Sequence, residues 1–297
     1  MMDQAERLRT MFQSRMEEAL APPPLSARVI TITSGKGGVG KTNFAVNLAI
    51  YLSKQGKRVV IMDADFGLAN IELLFGIIPC YSLADVLMGD RTIDEVICNG
   101  PLDVRFISGG SGLKELANIS DKQMAYLIRN FMVLDSIADV ILIDTGAGIS
   151  KSVVNFIKAS KECIIVTTPE PTSVTDAYSL VKTIREDNPS EMPAFKVVLN
   201  RVDDAEEGQE VYDRLNKVTE RFLGKTLSYL GAVPYDSCLV KAVKKQQPVS
   251  LLFPAAPCVK ALDAIGGRLL GTAEERRKSE AGGILSFVKR LSGVFGN

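Results

Sequence analysis

The 297-residue chain contains no histidine. General-base chemistry by imidazole and metal ligation by imidazole are therefore both excluded. An excess of one charge is missing too, since 35 basic residues balance 35 acidic ones. That argues against strong non-specific binding to DNA, although a local patch fits inside a neutral total. Cysteine is sparse and scattered: Cys80, Cys98, Cys163, Cys238 and Cys258 form no C-x-x-C pair. They read as reduced residues of a cytosolic protein, not as a disulfide frame or an iron–sulfur site. No stretch approaches the ~20 apolar residues of a membrane span, and the mixed-charge N-terminus is unlike a signal peptide. There is no internal repeat, and the only low-complexity run is Pro22-Pro23-Pro24.

The most informative segment is Ser34-Gly35-Lys36-Gly37-Gly38-Val39-Gly40-Lys41-Thr42. Two glycines four residues apart, followed by Lys and Thr, fit the phosphate-binding loop. A β-branched strand, Arg28–Thr33, precedes it and a helical pattern, Asn43–Gln55, follows. Such a loop wraps backbone N–H groups round phosphates and aims a helix N-terminus at them. Lys41 is placed for the β/γ-phosphates and the Thr42 hydroxyl for Mg²⁺. Lys36 is not required by the general pattern, and a cation there can contact a phosphate of its own subunit or of a facing one.

Strand and helix patterns alternate along the body. Strands are expected at Arg28–Thr33, Arg58–Asp63, Val104–Ser108, Asp139–Asp144, Cys163–Thr168, Phe195–Asn200 and Leu227–Val233. Several are continuous apolar runs, as when helices cover both faces of a parallel sheet. Helices are expected at Asn43–Gln55, Asp121–Ile137, Lys151–Ala159, Ser173–Arg185, Gly208–Phe222, Ser237–Lys245 and Val259–Leu270. The alternation implies an α/β fold, doubly wound and mostly parallel, with ligands at the carboxyl ends of the strands. Three parts follow: a charged helix and proline linker (1–24), the α/β body (25–270), and a polar tether with a terminal helix (271–297).

Two expected strands end in aspartate, Asp63 and Asp144, each followed by small residues. An acid at a strand end beside a phosphate loop can hold Mg²⁺ directly or through water, or cap the next helix. With histidine absent, Asp65 is the leading candidate to orient an attacking water. In Ile284–Phe295, residues Ile284, Phe287, Val288, Leu291 and Phe295 share one helical stripe beside Lys289 and Arg290. Such a helix lies in a membrane interface or docks on the protein's own surface, and its bulk, charge and tether favour the membrane.

The sequence KGGVGKT resembles the deviant phosphate-binding loop of the MinD/ParA family, within the SIMIBI class of P-loop NTPases. DADFGLAN resembles that family's switch I and IDTGAGIS its Walker B and switch II region. The similarity spans roughly residues 28–265. It implies an ATPase that dimerises on ATP and Mg²⁺, with Gly35, Gly37, Gly38, Val39, Gly40, Lys41, Thr42 and Asn43 round the phosphates. Lys36 reaches the partner's site, Asp65 positions the hydrolytic water, and Thr42, Asp63 and Asp144 serve the metal. VLNRVDD resembles the adenine segment, giving Asn200 and Arg201 to the base, and Pro234, Tyr235 and Asp236 match a second adenine-side loop. Glu170 falls near the expected dimer face.

At the N-terminus, Asp3-Gln4-Ala5-Glu6-Arg7-Leu8-Arg9 resembles the DQAxxLR element of the FlhG branch of the family, which sets flagellar number. It implies activation of an FlhF-type GTPase through Asp3, Gln4, Ala5, Leu8 and Arg9, with flagellar basal-body components as further candidate partners. Localisation follows as cytoplasmic, reversibly at the anionic inner face of the cell membrane. The competing readings are a MinD-type division-site ATPase, which begins almost at its first strand, and a ParA-type DNA-partitioning ATPase, disfavoured by the neutral charge.

Overall fold

The apolar runs become the interior of one twisted sheet. The computed structural model describes residues 27–65, 70–110, 121–187, 191–271 and 283–295. Among them, eight strands are β1 (Arg28–Ser34), β2 (Val59–Ala64), β3 (Cys98–Asn99), β4 (Arg105–Ile107), β5 (Val140–Ala147), β6 (Glu162–Thr167), β7 (Ala194–Val202) and β8 (Ser228–Pro234). Their order is β3-β4-β2-β5-β1-β6-β7-β8, parallel throughout except for the β3–β4 pair. Every residue of β2 is buried, because apolar clusters cover both faces of the central strands. That is why these segments read as continuous apolar runs without alternation.

Helix Lys41–Lys54 and helix Pro257–Gly271 cover one face. Helices Asp121–Ile137, Lys151–Ala159, Pro171–Asp187 and Ala205–Leu223 cover the other. All seven expected strands and all seven expected helices in the body are present, with ends moved by a few residues. The sequence reading lacked β3 and four short helices, Ile71–Phe75, Leu83–Met88, Ile93–Val96 and Val249–Leu252. Four to six residues are too few to display a 3.6-residue period. Two of those helices did carry a signal, the capping boxes Ser82/Asp85 and Thr92/Glu95.

At the amino ends of the strands, three neighbours are tied by charge. Arg28 of β1 makes two hydrogen bonds to Glu162 of β6, at 2.7 and 2.6 Å. Lys196 of β7 donates to the same carboxylate at 2.9 Å. The remaining guanidinium nitrogen of Arg28 donates to the Leu269 carbonyl at 2.8 Å.

The terminal helix Ile284–Phe295 forms as expected but does not present its stripe to the outside. Ile284, Phe287, Val288 and Leu291 are all buried, packed against helices Asp121–Ile137 and Lys151–Ala159. The Phe287 ring stacks on Phe156 with centroids 6.3 Å apart. The expected membrane face is thus a docked face in this structure. The physical reason is that Phe131, Leu134, Phe156 and Ala159 offer an apolar groove within the chain, and burial there removes the stripe from water as a bilayer would. The side chain of Phe295 lies outside the described residues, as do Asp3, Gln4, Ala5, Leu8, Arg9, the proline linker and most of the tether.

Candidate functional site

The loop Gly35–Gly40 leaves the carboxyl end of β1, near where the chain's crossovers change direction in the sheet. Gly38 and Gly40 have φ of 77° and 93°, left-handed values that favour glycine. Gly40 is the N-cap of helix Lys41–Lys54, so the helix's free N–H groups open toward the loop. Gly35 is required for another reason. A Cβ there would stand 2.3 Å from the backbone carbon of Asp176 in helix Pro171–Asp187.

Lys41 and Asp144 meet at the floor of the site, with Nζ 2.8 Å from Oδ1 and both side chains buried. The other oxygen of Asp144, Oδ2, is buried without a hydrogen-bond partner. Burial pushes the Asp144 carboxyl up from its ordinary range, against the pull of Lys41 and Thr42. Asp63 sits on the adjacent strand in register with Asp144. Its carboxylate accepts from the backbone N–H groups of Asp65, Asn70 and Ile71, at 3.0, 3.1 and 3.5 Å. Burial first, and then the charge of Asp144, raise the Asp63 carboxyl to about 7. Asp63 therefore gathers both ends of the switch segment, while Asp65 faces Gly146, where a Cβ would lie 3.6 Å from Asp65 Oδ1.

Of the expected metal residues, Thr42 and Asp144 meet at the start of helix Lys41–Lys54, and Asp63 lies beside Asp144 on the neighbouring strand. An orphaned buried carboxylate oxygen beside a threonine hydroxyl suits a magnesium ion with its waters. Among the described residues no three Cys, Asp or Glu side chains gather into a self-sufficient metal cluster.

The base-side residues are arranged differently from expectation. The Asn200 amide donates to the Val39 carbonyl at 2.7 Å, pinned to the phosphate loop. Arg201 follows at φ 59°, an uncommon value for a non-glycine residue, and is exposed. Tyr235 is largely exposed, with its N–H on the Val202 carbonyl at 2.9 Å. Asp236 is committed elsewhere. Its two oxygens accept from the N–H groups of Cys238 and Cys258, at 2.8 and 3.2 Å, capping one helix and joining the start of another. Burial works against that charge, yet the two N–H groups hold the carboxyl below its usual range. The Asp236 carboxylate acts here as a cap.

Lys36 is half-exposed and occupied. Its Nζ donates to Glu170 Oε2 at 2.7 Å and to Thr172 Oγ1 at 3.0 Å, both in its own chain. Sequence reasoning missed Thr172, which carries no motif signal. It also missed Thr145, whose hydroxyl lies 3.2 Å from the Ile32 carbonyl and 3.1 Å from Thr33 Oγ1, tying the ends of β5 and β1.

Comparison with known proteins finds a matching family and several relatives. The CobQ/CobB/MinD/ParA nucleotide binding domain matches residues 30–249. The antiactivator FleN of Pseudomonas aeruginosa is 42% identical over 242 residues, covering 82% of this chain and 86% of FleN. The flagellum site-determining protein YlxH of Helicobacter pylori is 35% identical over 294 residues, 98% of each chain. Among solved structures, the septum site-determining protein MinD of Pyrococcus horikoshii, complexed with Mg-ADP, superposes with a TM-score of 0.68 at 23% identity. It covers 84% of this chain and 98% of its own. A ParA family ATPase of Chlorobium tepidum superposes with a TM-score of 0.66 at 23% identity, over 82% and 99% of the two chains. These two likenesses concern the fold.

Proposed function

Since the chain belongs to the CobQ/CobB/MinD/ParA family of nucleotide-binding domains, we propose that it is a magnesium-dependent ATPase used as a switch to set the place and number of flagella. The observation that carries the reading is the buried pair of Lys41 and Asp144 at the loop, with Thr42 beside Asp144 and Asp63 in register on the next strand. Identity of 42% to FleN and of 35% to YlxH supports the flagellar assignment. Lys41 supplies the ammonium for the β/γ-phosphates. Thr42, Asp63 and Asp144 would hold Mg²⁺, and the ion would supply charge neutralisation on the phosphates. Asp65 orients the attacking water, the role that histidine is absent to fill. Asn200, Arg201, Pro234 and Tyr235 border the base.

ATP brings two copies together, with Lys36 reaching across. Residues 284–295 carry the dimer to an anionic membrane surface from the cytoplasmic side, and the helix must leave its groove to do so. Avidity favours this, because a dimer offers two weak helices at once. Residues 1–20 activate an FlhF-type GTPase through Asp3, Gln4, Ala5, Leu8 and Arg9, and basal-body components are the further partners.

A division-site ATPase of the MinD kind is the second reading, favoured by the shared fold. Two measurements separate the readings. Purified protein should release phosphate from ATP only with Mg²⁺, and cells lacking the gene should carry an altered number of flagella with normally placed septa. Misplaced septa with normal flagella would transfer the assignment to division. A peptide of residues 1–20 should accelerate GTP hydrolysis by the FlhF-type partner, and Gln4→Ala should abolish that gain.

A further inference from the structure

The rim of the site holds a built contact that the phosphate chemistry does not use. Ser34 Oγ donates to the Lys36 carbonyl at 2.9 Å, and Gly35 is pressed against the backbone of Asp176. The backbone on either side of Lys36 is thereby fixed to the protein, and only the side chain is free to swing. That side chain rests on the first turn of helix Pro171–Asp187, between Glu170 Oε2 and Thr172 Oγ1. Glu170 also feels Arg201, which with Lys36 holds its carboxyl below the ordinary range. The contact seen at the carboxylate is that of Lys36, from the phosphate loop.

We propose that Glu170 is a positioning residue that keeps Lys36 within its own subunit, and that dimer formation requires this pair to open. The inference rests on the ATP-dependent dimer proposed above and adds the residue that opposes it. Lys36 cannot donate to Glu170 and to a facing phosphate along the same direction. Each protomer must therefore give up one ion pair before its lysine crosses. The pair is half exposed, with side chains 39% and 57% accessible, so it is weak enough to exchange. An exposed pair shifts an equilibrium by a factor of about 1.4 to 5. Two such pairs open per symmetric dimer, so the combined factor is about 2 to 30. Thr172 adds a neutral acceptor, whose loss has a smaller effect in the same direction.

The test uses the full chain with Mg²⁺ and a non-hydrolysable ATP analogue, with the dimer dissociation constant read by sedimentation. Glu170→Gln should tighten the dimer by about 2- to 30-fold and Thr172→Val by less. Nucleotide affinity at concentrations where the protein is monomeric should stay unchanged. Without nucleotide, Lys36 should react faster with an amine-acylating reagent in Glu170→Gln than in the unsubstituted chain, a readout that a merely structural role would not move. If the unsubstituted chain never dimerises with the analogue, the dimer reading falls and takes this one with it. If it dimerises and Glu170→Gln leaves the constant unchanged or weakens it, the dimer reading stands. The restraining role of Glu170 is then overturned.

Discussion

The ammonium of Lys41 stands 2.8 Å from Asp144 Oδ1, in a site where Asp144 is fully buried. The lysine proposed for the phosphates therefore already has an anionic partner. Under the proposed ATPase, nucleotide binding would be an exchange, in which Lys41 leaves this pair for the phosphates and Asp144 is released toward the metal. Asp144 Oδ2, buried and unpartnered, marks where that second role falls.

Breaking this pair from one side should destabilise the fold, and removing both charges should not. Lys41→Met leaves the Asp144 carboxylate buried and alone, which costs about 3–5 kcal/mol in such pairs. Asp144→Asn removes the charge, so the double substitution should recover most of the loss. Urea unfolding of the nucleotide-free protein measures all three. Neither single variant should hydrolyse ATP. If the double variant is as unstable as Lys41→Met, the two residues do not depend on each other.

Two further variants separate assembly from chemistry. Asp65→Ala should bind ATP and accumulate as a dimer, with turnover reduced about 10²-fold or more, as on loss of a water-orienting group. Lys36→Ala should bind nucleotide and remain monomeric in light scattering. Normal turnover in Asp65→Ala would move the water-orienting role to another residue.

The charged triad at the opposite end of the strands should set the acid limit of the fold. Burial works against the Glu162 carboxylate, yet Arg28 and Lys196 hold it below its usual range. A carboxyl with a depressed folded pKa stabilises above its unfolded value of about 4.5 and loses that contribution as pH falls below it. Glu162→Gln removes the anion that Arg28 and Lys196 share, at a cost of about 3 kcal/mol near pH 7. The gap between variant and unsubstituted protein should narrow toward pH 4. A gap independent of pH would mean that packing, and not charge, is what Glu162 contributes.

The body of the fold was legible because its signals are local. Apolar runs such as Val59–Ala64 mark strands covered on both faces, and Gly35–Thr42 has little meaning apart from a phosphate loop. Asp63 and Asp144 were legible as strand-end acids, but not the register that sets them side by side, since register depends on partners far apart in sequence. Asp236 shows the same limit from the other direction. Its segment suggested a base-side residue, while the carboxylate is committed to Cys238 and to Cys258, 22 residues further on. The terminal helix was legible as amphipathic, but an amphipathic stripe does not say what covers it. The groove beneath it is assembled from two other helices.

That groove gives the last prediction, because one apolar face cannot be in two places. Phe287 is buried against Phe156 here, and the same ring is one of the two phenylalanines proposed for the membrane. Docking and membrane contact therefore compete, and substitutions on the two sides of the interface should act in opposite directions. Phe156→Leu loosens the groove and leaves the helix unchanged, so binding to anionic vesicles should rise and hydrogen exchange across Ile284–Phe295 should quicken. Phe287→Ala weakens docking as well, but it also removes apolar area from the membrane face, so exchange should quicken while vesicle binding falls. Removing residues 284–297 should abolish vesicle binding and leave nucleotide-driven dimerisation intact. If Phe156→Leu quickens exchange without raising vesicle binding, the helix is a structural strap across Asp121–Ile137 and Lys151–Ala159, and membrane contact must come from another part of the chain.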